Sequence, residues 1–105
     1  MAKGFDMNQL MRQAQEMQTQ MARAQEQLAT ETVEGSAGGG LVTVTATGTG
    51  VLTGVRIDPK AIDPDDPEML EDVVLAAVNE ALRAAQALAE SKLGGSLGGL
   101  GLPGL

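Results

Sequence analysis

The fold of this chain is decided by residues 38–59, which read GGGLVTVTATGTGVLTGVRIDP. Across residues 41–47 small apolar side chains alternate with threonines, and in the following run Val51, Val55 and Ile57 fall on one face. Alternation with a period of two is typical of a strand with one buried face. Gly48 and Gly50 between the two runs can adopt positive φ, as a tight hairpin turn requires. The sequence therefore predicts a β-hairpin, and we expect its apolar side to be buried against helices.

A long amphipathic helix is predicted before the hairpin. Asp6 is a good N-cap residue, and the helical pattern then runs to about Ala29. Its apolar residues recur at alternating spacings of three and four: Met7, Leu10, Ala14, Met17, Met21, Ala24 and Leu28. This spacing is that of a heptad seam. Because such a helix spans about 36 Å, it is longer than a small sheet can cover. Part of the seam must therefore meet another helix or another chain, and core packing and self-association are both compatible with it.

The rest of the chain supplies a third strand, a second helix and a tail. Residues 31–36, ETVEGS, form a weak first strand. Asp66 and Pro67 suit the N-cap and first position of a helix that ends near Leu93, where glycines follow. Residues 94–105, GGSLGGLGLPGL, are of low complexity. The predicted fold class is α+β, with a long N-terminal helix, a small three-stranded antiparallel sheet and a C-terminal helix in a single domain over residues 1–93. We expect residues 94–105 to form a disordered Gly/Leu-rich tail.

The amino-acid composition favours a homodimer. The chain has 105 residues, and its only aromatic residue is Phe5. Large buried areas from aromatic side chains are therefore missing, and a core built from alanine, valine, leucine and methionine in so short a chain is thin. Surface supplied by a second copy would complete the burial.

The absence of several residue types argues against enzyme chemistry. The chain has no histidine and no cysteine, so the commonest general base, the thiol nucleophile and the usual zinc ligands are missing. The acidic residues before the second helix do not have calcium-loop spacing. We expect no enzyme activity, no cofactor, no metal and no small-molecule substrate. No secretory signal or membrane span is visible, so we expect a cytoplasmic protein without a membrane partner.

The net charge of −7 is unevenly distributed, and the basic residues admit two interpretations. Residues 61–105 carry a net charge of −6, whereas residues 35–60 carry +1. Arg12 and Arg23 are eleven residues apart, which brings them within about 20° of one helical stripe. That stripe could contact phosphates, particularly if a dimer doubles it. Alternatively, Arg12 pairs with Glu16 and Arg23 with Glu26 in ordinary solvated ion pairs.

Three segments in order carry a resemblance to a known family. These are the Met/Gln-rich first helix (NQLMRQAQEMQTQM), the central EGSAGGGLVTVTATGTGVLTGVRIDP, and EMLEDVVLAAVNEALRAAQ after an acidic proline turn. Together they resemble the YbaB/EbfC family of bacterial nucleoid-associated proteins over roughly residues 5–92. The most specific part covers residues 37–59.

The resemblance implies a homodimer in the cytoplasm and nucleoid that binds duplex DNA and alters its conformation. It also implies that the sheet takes part in dimerisation and that the contacts with DNA lie on the helices. The basic positions there are Lys3, Arg12, Arg23, Arg83 and Lys92. The acidity of residues 61–105 weakens the case for Arg83 and Lys92. The alternative function is a protein-interaction module that acts with DNA-maintenance or regulatory proteins, which the acidity and the adaptable methionines would suit.

Overall fold

The computed structural model describes residues 6–98. Along the chain, one helix precedes a three-stranded sheet and a second helix follows it. The elements are α1 (Met7–Thr30), β1 (Thr32–Ala37), β2 (Val42–Thr47), β3 (Leu52–Ile57), a 3-10 turn (Pro59–Ala61) and α2 (Pro67–Gly98). The predicted α+β arrangement is confirmed. Within the described range, no helix combines the length and the apolar character that a membrane crossing needs.

Both helices begin at the predicted caps, but α2 ends later than predicted. The Asp6 carboxylate accepts from the backbone N–H of Asn8 at 3.0 Å, and Asp66 accepts from that of Met69 at 3.3 Å. The predicted end near Leu93 is wrong, because α2 continues to Gly98. Glycine costs only about 1 kcal/mol in a helix, and adding residues to an existing helix is easier than starting one. The tail prediction beyond Gly98 concerns residues outside the described range.

The three strands form an antiparallel sheet in the order β1-β2-β3. The predicted hairpin turn is confirmed, with Gly50 at a φ of 88°. A bulge lies opposite Thr45 and Ala46, so that Leu52 becomes the partner of Ala46. Cross-strand partners share a face of the sheet. The apolar face of β3 therefore continues through Leu52, rather than through Val51 as the simple alternation predicted.

Helix α2 covers only part of the apolar face of the sheet. Val42, Val44 and Ala46 of β2 are fully buried with Ala77 and Ala81 of α2. The expectation that both hairpin strands bury their apolar side is confirmed for β2 and wrong for β3, where all residues are exposed. One helix about 10 Å wide spans two strands that lie about 4.8 Å apart. The third strand is therefore left uncovered.

Helix α1 is anchored at its C-terminal end and projects from the body. Ala24 and Leu28 are its only buried residues in the described structure. Near the same end, the Lys92 ammonium of α2 lies 2.7 Å from the Glu31 carboxylate and donates to the Gln27 side chain at 3.3 Å. The molecule is accordingly elongated, with extents of 79 × 26 × 16 Å.

Candidate nucleic-acid interface

The projecting part of α1 has two chemically different faces. Its apolar seam continues outward from Leu28 through Met21 and Met17, which are exposed. On the other side, a shallow surface is lined by a run of mostly polar residues: Arg12, Gln15, Glu16, Thr19, Gln20 and Arg23. At 100° per residue, Arg12 and Arg23 lie roughly opposite the seam. Any contact that covers the methionines therefore leaves the arginines facing solvent.

Arg12 and Arg23 are free of the ion pairs that the alternative interpretation requires. The two salt bridges found across residues 6–98 join Arg83 to Glu80 and Lys92 to Glu31. The pairs of Arg12 with Glu16 and of Arg23 with Glu26 are not formed in this described part. The two guanidinium groups lie about 16 Å apart along the helix, and both are available to an anion.

The other three predicted DNA-contact residues are differently placed. Arg83 is exposed and already hydrogen-bonded to Glu80 on its own helix. Lys92 joins α2 to the end of α1 through Glu31. Nine residues separate Arg83 from Lys92, so they lie on opposite sides of α2. Lys3 lies outside the described residues. The structure therefore brings together only Arg12 and Arg23 of the predicted set.

Two further cations lie outside the helical positions predicted to contact DNA. Arg56 in β3 and Lys60 in the 3-10 turn are exposed, and neither has an ion pair within residues 6–98. The sequence signal that could have found them is the local net charge of +1 in residues 35–60 of an otherwise acidic chain.

The acidic residues do not assemble a metal site in the described part of the chain. No group of three or more carboxylates there is placed to hold an ion. Asp58, Asp63 and Asp66 instead accept hydrogen bonds from nearby backbone N–H groups, at 2.9, 2.9 and 3.3 Å. These carboxylates stabilise the turns and the start of α2, where the helix dipole also favours negative charge.

A separate apolar surface lies where β3 is uncovered. Val55 is 53 % exposed and Ile57 is 37 % exposed. On α2, Leu75 is 60 % exposed and Leu82 is also exposed. A Cβ on Gly35 of β1 would meet Glu80 and Ala81. Leu75 and Leu82 lie about 120° and 100° around α2 from Ala81, off the face that packs on β1.

Comparisons with known proteins give a consistent result. The model of the YbaB/EbfC DNA-binding family matches residues 3–100. A nucleoid-associated protein of Saccharopolyspora erythraea is 54 % identical over 109 residues, covering 95 % of this chain and 94 % of the relative. One from Streptomyces avermitilis is 56 % identical over 103 residues, covering 95 % and 91 %. The crystal structure of the uncharacterized Helicobacter pylori protein HP0035 matches with a TM-score of 0.77 at 22 % identity, covering 89 % of this chain and 98 % of that one. That likeness shows the shared fold.

Proposed function

The chain belongs to the YbaB/EbfC DNA-binding family, and from this membership we propose that it binds duplex DNA as a homodimer and alters the conformation of the DNA. Relatives that are more than half identical are named nucleoid-associated proteins, and we place this protein in the cytoplasm, on the nucleoid. Its role is to bind rather than to catalyse.

The observation that carries the proposal is the pair of unpaired arginines on the polar face of α1. Arg12 and Arg23 are exposed on a projecting helix, without a carboxylate partner in the described chain. Guanidinium groups match phosphate oxygens in geometry and charge. The neighbouring Gln15 and Gln20 add uncharged donors. Such a surface would contact the phosphates of the DNA backbone. It would make few contacts with base edges and so would depend little on the DNA sequence.

The acidity of the chain determines where DNA can approach. Residues 61–105 carry a net charge of −6, so α2 and the turn before it repel phosphates. Helix α1 extends away from that charge, and a Debye length of about 8 Å at physiological salt screens most of the remainder. A dimer presents two such helices. A duplex that contacts both α1 helices must follow the protein surface between them. Following that surface would change the conformation of the duplex.

The uncovered apolar surface supports the homodimer. Exposed apolar side chains on β3 and on one flank of α2 offer surface that a second copy can cover isologously. The free edge of β3 adds unpaired backbone groups to this surface. Since this patch is separate from the arginine face of α1, dimerisation leaves the proposed DNA contacts accessible.

The proposed function is tested by the binding of a fluorescein-labelled duplex, measured by anisotropy at several salt concentrations on a sample of known mass. We expect a dimer whose log affinity falls linearly with log salt concentration, with a slope of about −0.9 per phosphate contact. A protein that fails to bind at low salt would refute the proposal.

A protein-interaction module is the second candidate, because Met17 and Met21 of the seam are each 42 % exposed. Methionine-rich surfaces adapt to different partners. Affinity capture with the wild-type protein, compared with a Met17→Gln/Met21→Gln variant, tests this function. Recovery of a specific protein partner by the wild type alone would support it, and recovery of only DNA and the protein itself would count against it.

A further inference from the structure

The sheet carries a cationic corner on the face opposite the core. Arg56 lies between Val55 and Ile57 in β3, and successive side chains of a strand point to opposite faces. Val55 and Ile57 are partners of Val44 and Val42 on the apolar face, whereas Arg56 is the partner of Thr43. Arg56 therefore lies on the polar face, away from the surface that a second copy would cover.

Hydroxyl groups extend this corner across the sheet. Ser36 is the partner of Thr43, and Thr43 is the partner of Arg56, so these three residues form one row over the three strands. At strand spacings of about 4.8 Å the row is roughly 10 Å long. The side-chain hydroxyls of Ser36 and Thr43 have no hydrogen-bond partner in the described chain. They can donate to the same ligand as Arg56.

The corner is shallowly concave and held in shape by the backbone. Its surface is lined by residues from the ends of β2 and β3 and their flanking turns: Gly40, Leu41, Thr43, Arg56, Ile57, Asp58 and Pro59. The Asp58 N–H donates to the Leu41 carbonyl at 2.8 Å, which fixes the end of β3 against the start of β2. The Asp58 carboxylate accepts from the Lys60 N–H at 2.9 Å.

The charge of this region is opposite to that of the rest of the chain. Residues 35–60 carry a net charge of +1 within a chain of −7. Arg56 and Lys60 supply the two positive charges, and neither is paired with a carboxylate in the described residues. Arginine, lysine, serine and threonine are the side chains that contact phosphate oxygens in protein–DNA complexes.

We propose that the Ser36–Thr43–Arg56 row, with Lys60 in the turn that follows β3, is a second phosphate-binding site that contacts the DNA backbone independently of α1. This inference rests on the proposed DNA-binding function. Because Arg56 lies on the edge strand β3, a dimer formed through the apolar side of β3 would bring two such corners near one another on the polar side. The sheet then contacts the duplex between the two projecting helices.

The test compares Arg56→Gln/Lys60→Gln with the wild type in the duplex-binding titration. Arg56→Lys/Lys60→Arg is the matched control, since it keeps both positive charges at the same positions. We expect the double variant to bind about tenfold more weakly and to lose about 0.9 from the salt slope for each phosphate contact removed. The control should retain the wild-type slope. A double variant with the wild-type affinity and slope would overturn the site.

A second measurement keeps the inference testable if the double variant is unstable. Amide chemical shifts of the wild-type protein are recorded as the duplex is added. Changes at residues 40–43 and 55–60, in addition to α1, support the sheet site, and changes confined to α1 overturn it. A wild-type protein that does not bind the duplex refutes the proposed function itself. If the wild type binds the duplex, but the double variant binds equally well and the amide shifts of the sheet do not change, only this inference is refuted.

Discussion

At the scale of single residues, Gly35 shows how tightly the sheet is packed against α2. A Cβ built at this position would lie 2.1 Å from the backbone nitrogen of Ala81 and 2.6 Å from its Cα. Both are backbone atoms, so no side chain can rotate to make room. The absence of a side chain at Gly35 is what lets β1 and α2 approach, with Ala77 and Ala81 filling the interface.

Replacing Gly35 by alanine should therefore lower the free energy of unfolding by about 2–3 kcal/mol or more, since overpacking of a tight contact forces backbone shifts. Urea denaturation measures this change. The matched control is Gly54→Ala in β3, where a Cβ would meet nothing within 4 Å. That substitution should be neutral or slightly stabilising, because alanine loses less conformational entropy on folding than glycine. Equal stability of the two variants would contradict the close contact at Gly35.

At the scale of elements, α1 divides into an anchoring end and a projecting end. Leu28 and Ala24 pack into the body, whereas the seam beyond them is exposed. The seam is apolar along its whole length. The change from buried to exposed seam residues therefore follows from where the sheet and α2 end. The polar side of the projecting end carries Arg12 and Arg23 on one stripe.

Charge reversal by Arg12→Glu/Arg23→Glu should weaken duplex binding at least tenfold and reduce its salt dependence, because two charge-assisted phosphate contacts are lost. Anisotropy titrations at several salt concentrations measure both quantities. Arg83→Glu is the control for the added negative charge, and circular dichroism checks that α1 remains helical. Unchanged binding by the double variant would remove these arginines from the interface.

At the scale of the whole molecule, the small size of the core supports the proposed homodimer. The largest fully buried side chains are Leu28, Val42 and Val44, and the fully buried α2 members of the central cluster are alanines. A core of such small residues stabilises a single chain weakly. The exposed patch of β3 and the α2 flank is the apolar surface through which a second copy would enlarge the core.

Leu75→Asp should therefore raise the dimer dissociation constant at least tenfold, since an uncompensated carboxylate is costly to bury. Sedimentation equilibrium measures the constant, and the thermal midpoint should become more dependent on protein concentration. Ala76→Asp is the matched control, because Ala76 is exposed on a different side of α2. If both variants dissociate equally, or if the wild type is a monomer, the proposed surface is wrong.

The sequence by itself determined the elements and their order. The caps at Asp6 and Asp66 and the turn at Gly50 act over a few residues, so local patterns identify them. The family was also recognisable from three contiguous segments. Arg12 and Arg23 could be placed on one stripe because helical geometry is fixed by spacing alone.

Only the tertiary structure decided which of these features are buried, paired or free. The exposure of Val55 follows from the width of α2 relative to the sheet, and the role of Lys92 follows from its meeting Glu31 across the fold. The bulge that brings Leu52 opposite Ala46 depends on pairing between strands. The row that ends in Arg56 joins residues from three strands. Contacts between residues distant along the chain are set by packing, which a one-dimensional pattern does not contain.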